Sequence, residues 1–193
     1  MTVSSSSTPA SVSAAKLEAE RIQALFAGYG SEFYGGEAIT QTEHALQCAA
    51  LAEAAGETPA VIVASLLHDV GHLVMAESAS EDRRHQDVGA RALEGIFGED
   101  VLAPIRLHVP AKRYLCAVDA AYYDTLSQAS RDSLALQGGP FTPDELAGFE
   151  RLPHFDAAVR LRRYDDLAKV VGARTPDLSH YLQLCTRVMR GRA

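Results

Sequence analysis

Two histidines and an aspartate lie at the end of the most apolar stretch of the sequence, and this feature constrains the fold most. The run AVIVASLL at 60–67 continues directly into HDVGHL, so that His68, Asp69 and His72 fall within five positions. The apolar residues predict a buried segment. Because a buried carboxylate is costly unless it is paired or bound to a metal, the fold must bring a partner to this point.

The spacing of apolar residues is helical along nearly the whole chain, and runs of alternating β-branched residues are missing. We therefore predict an all-α fold, a single helical bundle over residues 14–193. Residues 1–13 are rich in serine and threonine and lack the basic and apolar regions of a signal peptide. We expect them to form a disordered leader.

Capping residues mark several helix starts. Thr40, Thr58 and Thr142 precede predicted helices as N-caps, and Pro59 and Pro143 take the first helical position after two of them. A Gly-rich loop is predicted at 29–38 and a charged loop at 77–85. The predicted helices are 14–28, 41–56, 60–72, 86–97, 99–108, 110–121, short pieces within 122–136, one after Thr142, 154–171 and 177–190.

Composition argues against several classes of function. The formal net charge is -7, and no basic stripe of the kind that binds nucleic acid is visible. The longest apolar run has eight residues, against the ~20 that a membrane helix requires. The three cysteines show no CxxC spacing and predict neither disulfides nor a thiolate zinc site. We expect a cytoplasmic protein without a nucleic-acid or membrane partner.

Histidines cluster in the first part of the chain. Five of the seven lie on or at the end of predicted helices before residue 110: His44, His68, His72, His85 and His108. Any one of them alone is more simply a hydrogen-bonded imidazole. Together with Asp69 they offer the nitrogen and oxygen ligands that iron, zinc, nickel or manganese accept. The sequence therefore predicts a metal site.

The order of His44, the dipeptide of His68 and Asp69, and a late aspartate in RRYDD resembles the HD-domain superfamily. The resemblance implies an all-α bundle that binds one or two metals, most often for phosphohydrolysis. Four imidazoles and two carboxylates are too many for one catalytic metal that keeps open positions, and they suit two metals bridged by Asp69. Resemblance to dinuclear HD proteins implies these ligands: His44, His68 and Asp165 for one metal, and His85 and His108 for the other.

Spacing does not separate Asp165 from Asp166 as the late ligand. We prefer Asp165, because Arg162 then lies one helical turn before it on the same face.

A narrower resemblance covers most of the chain from Tyr34 to Lys169. Five segments are similar to the HD-domain mixed-valence diiron oxygenases of phosphonate catabolism: YGGEAITQTEHALQCAALAE, SLLHDVGHL, HVPAKRYLC, SLALQGGP and LRRYDDLAK. The resemblance implies two irons, Fe(II) and Fe(III), that use O2 to convert a 1-hydroxyphosphonate into a carboxylate and inorganic phosphate. It also implies that a 2-oxoglutarate-dependent hydroxylase acts before this enzyme.

The same resemblance implies which residues contact the substrate. The phosphonate would be bound by His72, Lys112, Ser130 and Arg162, and arginine geometry suits bidentate binding of such an anion. Without the resemblance, a lysine or arginine on a helix is usually solvated, and His72 is an ordinary helix C-terminal cap.

Tyr34 and Glu37 are implied to act as a cover. In this group the matching residues close over the iron that binds O2 and face the amino end of the substrate. Composition alone favours a surface loop with a solvated Glu37. A weaker hypothesis adds Tyr29 and Phe33 as an aromatic face for a methylated ammonium. The predicted substrate is 2-amino-1-hydroxyethylphosphonate or its N-trimethylated relative, giving glycine or glycine betaine.

Two other functions are open from the sequence. A dinuclear HD phosphohydrolase acting on a nucleotide or phosphate ester would share the ligands and would need only a metal-activated water. A degenerate HD protein serving as a binding module is disfavoured, because no ligand position is missing.

Overall fold

The computed structural model describes residues 9–74 and 84–189, and within them the fold is all-α, as predicted. No strand is present in these ranges, and the pairing of Phe33 with Thr40 is an isolated bridge. The helices are α1 (Pro9–Tyr29), α2 (Gln41–Ala54), α3 (Pro59–Leu67), α4 (Val70–Val74), α5 (His85–Ala92), α6 (Glu99–Val118), α7 (Tyr122–Thr125), α8 (Gln128–Leu136), α9 (Pro143–Phe149), α10 (Phe155–Leu167) and α11 (Leu178–Val188).

The predicted caps are present. The Thr40 hydroxyl accepts from the Glu43 backbone N–H while the Glu43 carboxylate accepts from the Thr40 N–H, so that α2 begins with a complete capping box. Thr142 begins α9 with the same kind of capping box, made with Glu145, whereas Thr58 begins α3 only by accepting from the Val61 backbone N–H. Each of these two threonines is followed by a proline. These starts depend only on residues close in sequence, which is why the sequence alone predicts them.

The apolar segment differs from its prediction as one helix over 60–72. α3 ends at Leu67, a turn contains His68 and Asp69, and α4 begins at Val70. Successive side chains of a continuous helix point about 100° apart, so the turn allows His68 and Asp69 to face one site.

The predicted break between 108 and 110 is wrong. α6 runs without interruption for 20 residues and includes Pro104 and Pro110. A proline removes one helical hydrogen bond, but here packing against α10, α5 and α3 keeps the helix whole. As a result, His108 and Lys112 lie one turn apart on one helix face.

Helix ends also differ. α1 begins at Pro9, so residues 9–13 of the predicted leader are helical, whereas residues 1–8 lie outside the described ranges. α5 ends at Ala92 and α10 at Leu167, both short of prediction. The charged loop predicted at 77–85 falls almost entirely on residues that are not described.

α3 forms the centre of the bundle. Every residue from Ala60 to Leu67 is buried, because α2, α6, α10 and α11 pack around it. Its carboxyl end directs the turn with His68 and Asp69 into the space between α2, α6 and α10. No helix among the described residues has the length and apolar character needed to cross a membrane.

Gly71 allows α4 to approach α5 closely. A Cβ atom at this position would lie 2.0 Å from the carbonyl oxygen of His85, so no larger residue fits without displacing the start of α5. The glycine thereby contributes to the position of the His85 side chain.

Candidate metal centre and active site

The six residues predicted as metal ligands converge at the carboxyl end of α3. They come from five parts of the chain, and all of them are buried: His44 of α2, His68 and Asp69 after α3, His85 of α5, His108 of α6 and Asp165 of α10. Such a concentration of buried polar groups requires a partner that satisfies all of them.

The histidines form two pairs. The Nε2 atoms of His44 and His68 are 3.2 Å apart, and those of His85 and His108 are 3.1 Å apart. Two nitrogens that bind one ion at ~2.1 Å are separated by about this distance. Each pair therefore has the spacing of two ligands to a common metal.

Asp69 lies between the two pairs. Its Oδ2 is 3.2 Å from His68 Nε2 and 3.6 Å from His44 Nε2. Its Oδ1 is 3.2 Å from His85 Nε2 and 3.4 Å from His108 Nε2. One carboxylate oxygen thus faces each histidine pair, which is the arrangement of a bridge between two metals.

Backbone carbonyls determine the tautomers of three imidazoles. A carbonyl only accepts, so each Nδ1 carries the hydrogen and each Nε2 presents a lone pair to the site. The three contacts are His44 Nδ1 with Ala168 (2.8 Å), His68 Nδ1 with Ser65 (2.9 Å) and His108 Nδ1 with Ile105 (2.8 Å).

The charge balance of the centre fits a metal cation. Neither oxygen of Asp69 has a hydrogen-bond donor, although both are buried. Burial opposes ionisation of Asp69, but its interactions with His68, His108 and His85 together outweigh this and hold the pKa of the carboxyl well below its usual range. Burial lowers the pKa of His108 to about 4, so that this imidazole is neutral at pH 7. A carboxylate surrounded by imidazoles is a set of groups that transition metals accept as ligands.

The geometry favours Asp165 over Asp166 as the late ligand. Asp165 Oδ1 lies 3.4 Å from His44 Nε2, and Oδ2 accepts from Arg162 Nη1 at 2.7 Å. Asp166 faces away from the histidines and accepts hydrogen bonds from Arg162 and from the Tyr122 hydroxyl.

Cys48 also lies close to the centre, which the sequence analysis did not anticipate. Its sulfur is within 4.8 Å of ring nitrogens of His44 and His68. Its position one turn after His44 on α2 was the available signal. Burial, with the charge of Asp165, raises the pKa of the Cys48 thiol well above its usual value, so we count it as a neutral neighbour.

A cavity of about 250 Å³ opens beside the centre. All the predicted substrate and cover residues line it: Tyr34, Glu37, His72, Lys112, Ser130 and Arg162. The His72 ring stacks on His85 with 4.2 Å between centroids. The cavity therefore lies directly against the second histidine pair.

Lys112 is a buried cation with unused donors. It is 2% exposed, and Ser133 Oγ, at 2.7 Å, is its only hydrogen-bond acceptor among the described residues. An ammonium has three N–H groups, so two are left for an anion in the cavity. Burial, with the charge of Arg162, lowers the pKa of Lys112 to about 7.

Arg162 has three side-chain partners in addition to its predicted role in binding the phosphonate. Besides the two aspartates of α10, it contacts the Tyr122 hydroxyl, which accepts from Nε at 3.1 Å. One N–H of each terminal nitrogen is left over for an anion. Arg162 therefore lines the cavity and also orients Asp165.

Most of the loop with Tyr34 and Glu37 is exposed, but these two side chains are only partly exposed and lie on the side of the first histidine pair. The Tyr34 ring stacks on His44 with 3.8 Å between centroids, and its hydroxyl donates to Asp165 Oδ1 at 3.4 Å. Glu37 Oε1 accepts from Lys169 Nζ at 3.1 Å. The suggested aromatic face is not formed, because Tyr29 and Phe33 do not line the cavity and Phe33 is 74% exposed.

Sequence reasoning missed four polar residues of the cavity wall: Gln41, Ser133, Gln137 and Lys169. Gln137 Oε1 is buried there without a hydrogen-bond partner. Ser133 and Gln137 follow Ser130 at helical spacing, and Lys169 follows Asp165 by four residues. This periodicity was the available signal.

Comparisons with known proteins agree with the site. The HD domain family matches residues 42–131. The chain is 48% identical over 179 residues to the hydroxymethylphosphonate dioxygenase of Gimesia maris, an alignment that covers 88% of this chain and 89% of that protein. It is 39% identical over 175 residues to the glycine-betaine-forming 1-hydroxy-2-(trimethylamino)ethylphosphonate dioxygenase of Leisingera caerulea, with the same coverage. An uncharacterized protein of Acanthamoeba polyphaga mimivirus is 35% identical over 167 residues, covering 83% of this chain and 76% of that protein. The chain therefore belongs to the HD-domain family of phosphonate dioxygenases.

Proposed function

We propose that this enzyme uses two irons, Fe(II) and Fe(III), and O2 to cleave the carbon–phosphorus bond of a 1-hydroxyphosphonate. The main support is Asp69, which presents one oxygen to each histidine pair beside a cavity with buried cations. The proposed iron ligands are His44, His68, Asp69, His85, His108 and Asp165. The irons would supply the open coordination positions and the redox change that O2 chemistry needs.

The reaction balances without another reductant. R–CH(OH)–PO3²⁻ and O2 give R–COO⁻, HPO4²⁻ and H⁺. The C1–H and C–P bonds break, and of the two oxygen atoms of O2 one enters the carboxylate and one enters phosphate. Four electrons pass from C1 to O2.

The cavity residues are proposed to orient the phosphonate. Lys112 and Arg162 retain N–H groups for its oxygens, and charge-assisted hydrogen bonds to an anion are the strong ones. The Tyr34 ring and the Glu37 carboxylate cover the opposite histidine pair and keep solvent from it until substrate enters. The substrate thus meets cations at its phosphonate end and the cover loop at its other end.

The substituent R is proposed to be hydrogen, which makes the substrate hydroxymethylphosphonate and the product formate. Glu37 already has a cation, Lys169, at 3.1 Å, so its carboxylate is not free for a substrate ammonium. The name of the Gimesia maris relative agrees with this choice. The second candidate is 2-amino-1-hydroxyethylphosphonate, free or N-trimethylated, which the presence of Glu37 in the cavity wall supports.

The test compares these three substrates under air and under argon. We expect about one phosphate per O2 consumed, no phosphate without O2, and the highest kcat/KM for hydroxymethylphosphonate. A higher kcat/KM for either aminated substrate would show that R is not hydrogen. Phosphate release without O2 uptake, or turnover of a phosphate monoester instead, would indicate the phosphohydrolase.

The cover loop yields a separate prediction. The Glu37→Ala variant should keep its metals, because Glu37 is no proposed ligand, but it should release less phosphate per O2 consumed. Tyr34→Phe is the companion variant, since it keeps the ring on His44 and loses only the hydroxyl contact to Asp165. Phosphate and O2 are measured in the same vessel. If both variants match the wild-type ratio and KM, the loop has only a structural role.

Two wider expectations follow from the proposed chemistry. A 2-oxoglutarate-dependent hydroxylase would install the 1-hydroxyl group that this enzyme requires. A reducing cytoplasm agrees with Cys48, Cys116 and Cys185, which are all free thiols.

A further inference from the structure

Lys169 joins three separate parts of the active site. Its Nζ lies within hydrogen-bond distance of three acceptors: Glu37 Oε1 at 3.1 Å, Ser127 Oγ at 3.2 Å and Ser130 Oγ at 3.0 Å. The side chain is 13% exposed. An ammonium has three N–H groups, and here each has an acceptor.

The position of Lys169 in the chain links this junction to the metal centre. It directly follows Ala168, whose carbonyl oxygen accepts from His44 Nδ1, and it comes four residues after Asp165. Its ammonium also lies 5.7 Å from the centroid of the Tyr34 ring. Both residues of the cover loop are therefore in reach of one cation on the segment that supports the first histidine pair.

We propose that Lys169 is a positioning residue that holds the loop of Tyr34 and Glu37 over the metal centre and directs the Ser130 hydroxyl hydrogen toward the substrate. This inference rests on the proposed dioxygenase function. Glu37 has no other cationic partner among the described residues. Without Lys169 its carboxylate would be an unpaired charge at the wall of an anion site, where it repels the phosphonate.

The effect on Ser130 follows from hydrogen-bond chemistry. Ser130 Oγ accepts from Lys169, so its own hydrogen points away from that ammonium, and Ser130 lines the cavity. A phosphonate oxygen only accepts, so a hydroxyl oriented as a donor is what it requires. Lys169 itself has no N–H left, in contrast to Lys112, and therefore acts through its neighbours rather than by contact with the substrate.

The first experiment uses Lys169→Met, which keeps the aliphatic stem and removes the charge. Amide hydrogen exchange is measured over residues 30–40, where the Tyr34 N–H donates to the Ile39 carbonyl and the Glu37 N–H donates to the Tyr34 carbonyl. A charge-assisted hydrogen bond that is partly exposed corresponds to about a tenfold change in opening, so we expect about tenfold faster exchange. Phosphate released per O2 should fall, KM should rise, and metal content should stay at the wild-type level.

The matched control is Arg163→Met, which removes a cation from α10 at an exposed position 3.9 Å from Asp119. It should leave exchange, KM and the phosphate-to-O2 ratio unchanged. Unchanged exchange and unchanged ratio in Lys169→Met would overturn the proposal. Hydrogen exchange is measured without substrate, so it tests the contact between Lys169 and the loop independently of catalysis. If the wild type does not couple O2 uptake to phosphate release, that result refutes the proposed function and not the loop contact.

A double-mutant cycle tests whether Lys169 acts through Glu37. In the Glu37→Ala background, Lys169→Met should have little further effect on exchange in the loop, because the contact is already absent. Lys169→Arg should restore part of the protection, since it keeps a donor cation near Glu37. If Lys169→Met reduces amide protection in the loop equally in the wild-type and Glu37→Ala backgrounds, Lys169 does not act as the partner of Glu37.

Discussion

Asp69→Ala is expected to purify almost free of metal, whereas the wild type is expected to hold about two irons per chain. Asp69 is the only described carboxylate with one oxygen toward each histidine pair, so its removal takes a ligand from both ions. It also removes the negative charge that offsets two cations in a buried site. The loss should therefore affect both metals together.

Elemental analysis of metal per chain measures this loss, and circular dichroism checks that the helices are retained. Ser65→Ala is the control, because Ser65 is buried one turn before Asp69 and its hydroxyl has no hydrogen-bond partner. It keeps the carbonyl that orients His68 and should keep both metals. A variant at Asp69 that retains one full ion would rule out the bridge, and a single zinc in the wild type would refute the diiron proposal.

Lys112→Met is expected to lower kcat/KM by roughly ten- to a hundredfold, since a hydrogen bond to a charged group contributes ~1.5 to 3 kcal/mol. Lys112 is buried and has two N–H groups free for the phosphonate. Arg162→Met should lower kcat/KM by a similar factor. It also removes the hydrogen-bond donor to Asp165, so its effect does not report on phosphonate binding alone. Arg106→Met, on the same helix and paired with Glu99 outside the cavity, should leave turnover unchanged.

Lys112 also predicts a pH dependence. Its pKa is lowered to about 7, so the ammonium is lost as pH rises through that value, and with it the charge that binds the phosphonate. For the wild type, kcat/KM should therefore fall above pH 7, and the corresponding inflection should be missing from the profile of Lys112→Met. Identical pH profiles would show that the fall in kcat/KM does not come from loss of the Lys112 charge.

The sequence by itself determined the features that depend on neighbouring residues. The helix starts at Thr40, Thr58 and Thr142 follow from side chains three positions apart, and the all-α fold follows from apolar periodicity. The candidate ligands could also be named from local sequence. A histidine or aspartate within an apolar helix stands out from its immediate neighbours, even when the groups that it contacts are far away in the chain. His44, His68 and Asp69 are examples.

Only the tertiary structure decided features that depend on residues far apart in the chain. Pro110 remains helical because α10 packs on α6, and local propensity does not include that contact. Asp165 and Asp166 are equivalent by spacing, but α10 is rotated so that Asp165 meets His44 and Asp166 meets Tyr122.

The contact between Glu37 and Lys169 spans 132 positions in the sequence. Neither residue predicts the other, because each alone is an ordinary charged side chain for which solvation is the simplest outcome. Folding places both side chains, only partly exposed, beside the same cavity, where Lys169 is the cation that pairs with Glu37 among the described residues. The sequence therefore determined which chemical groups are present, and the packing of α10 against the loop decided which of them act together.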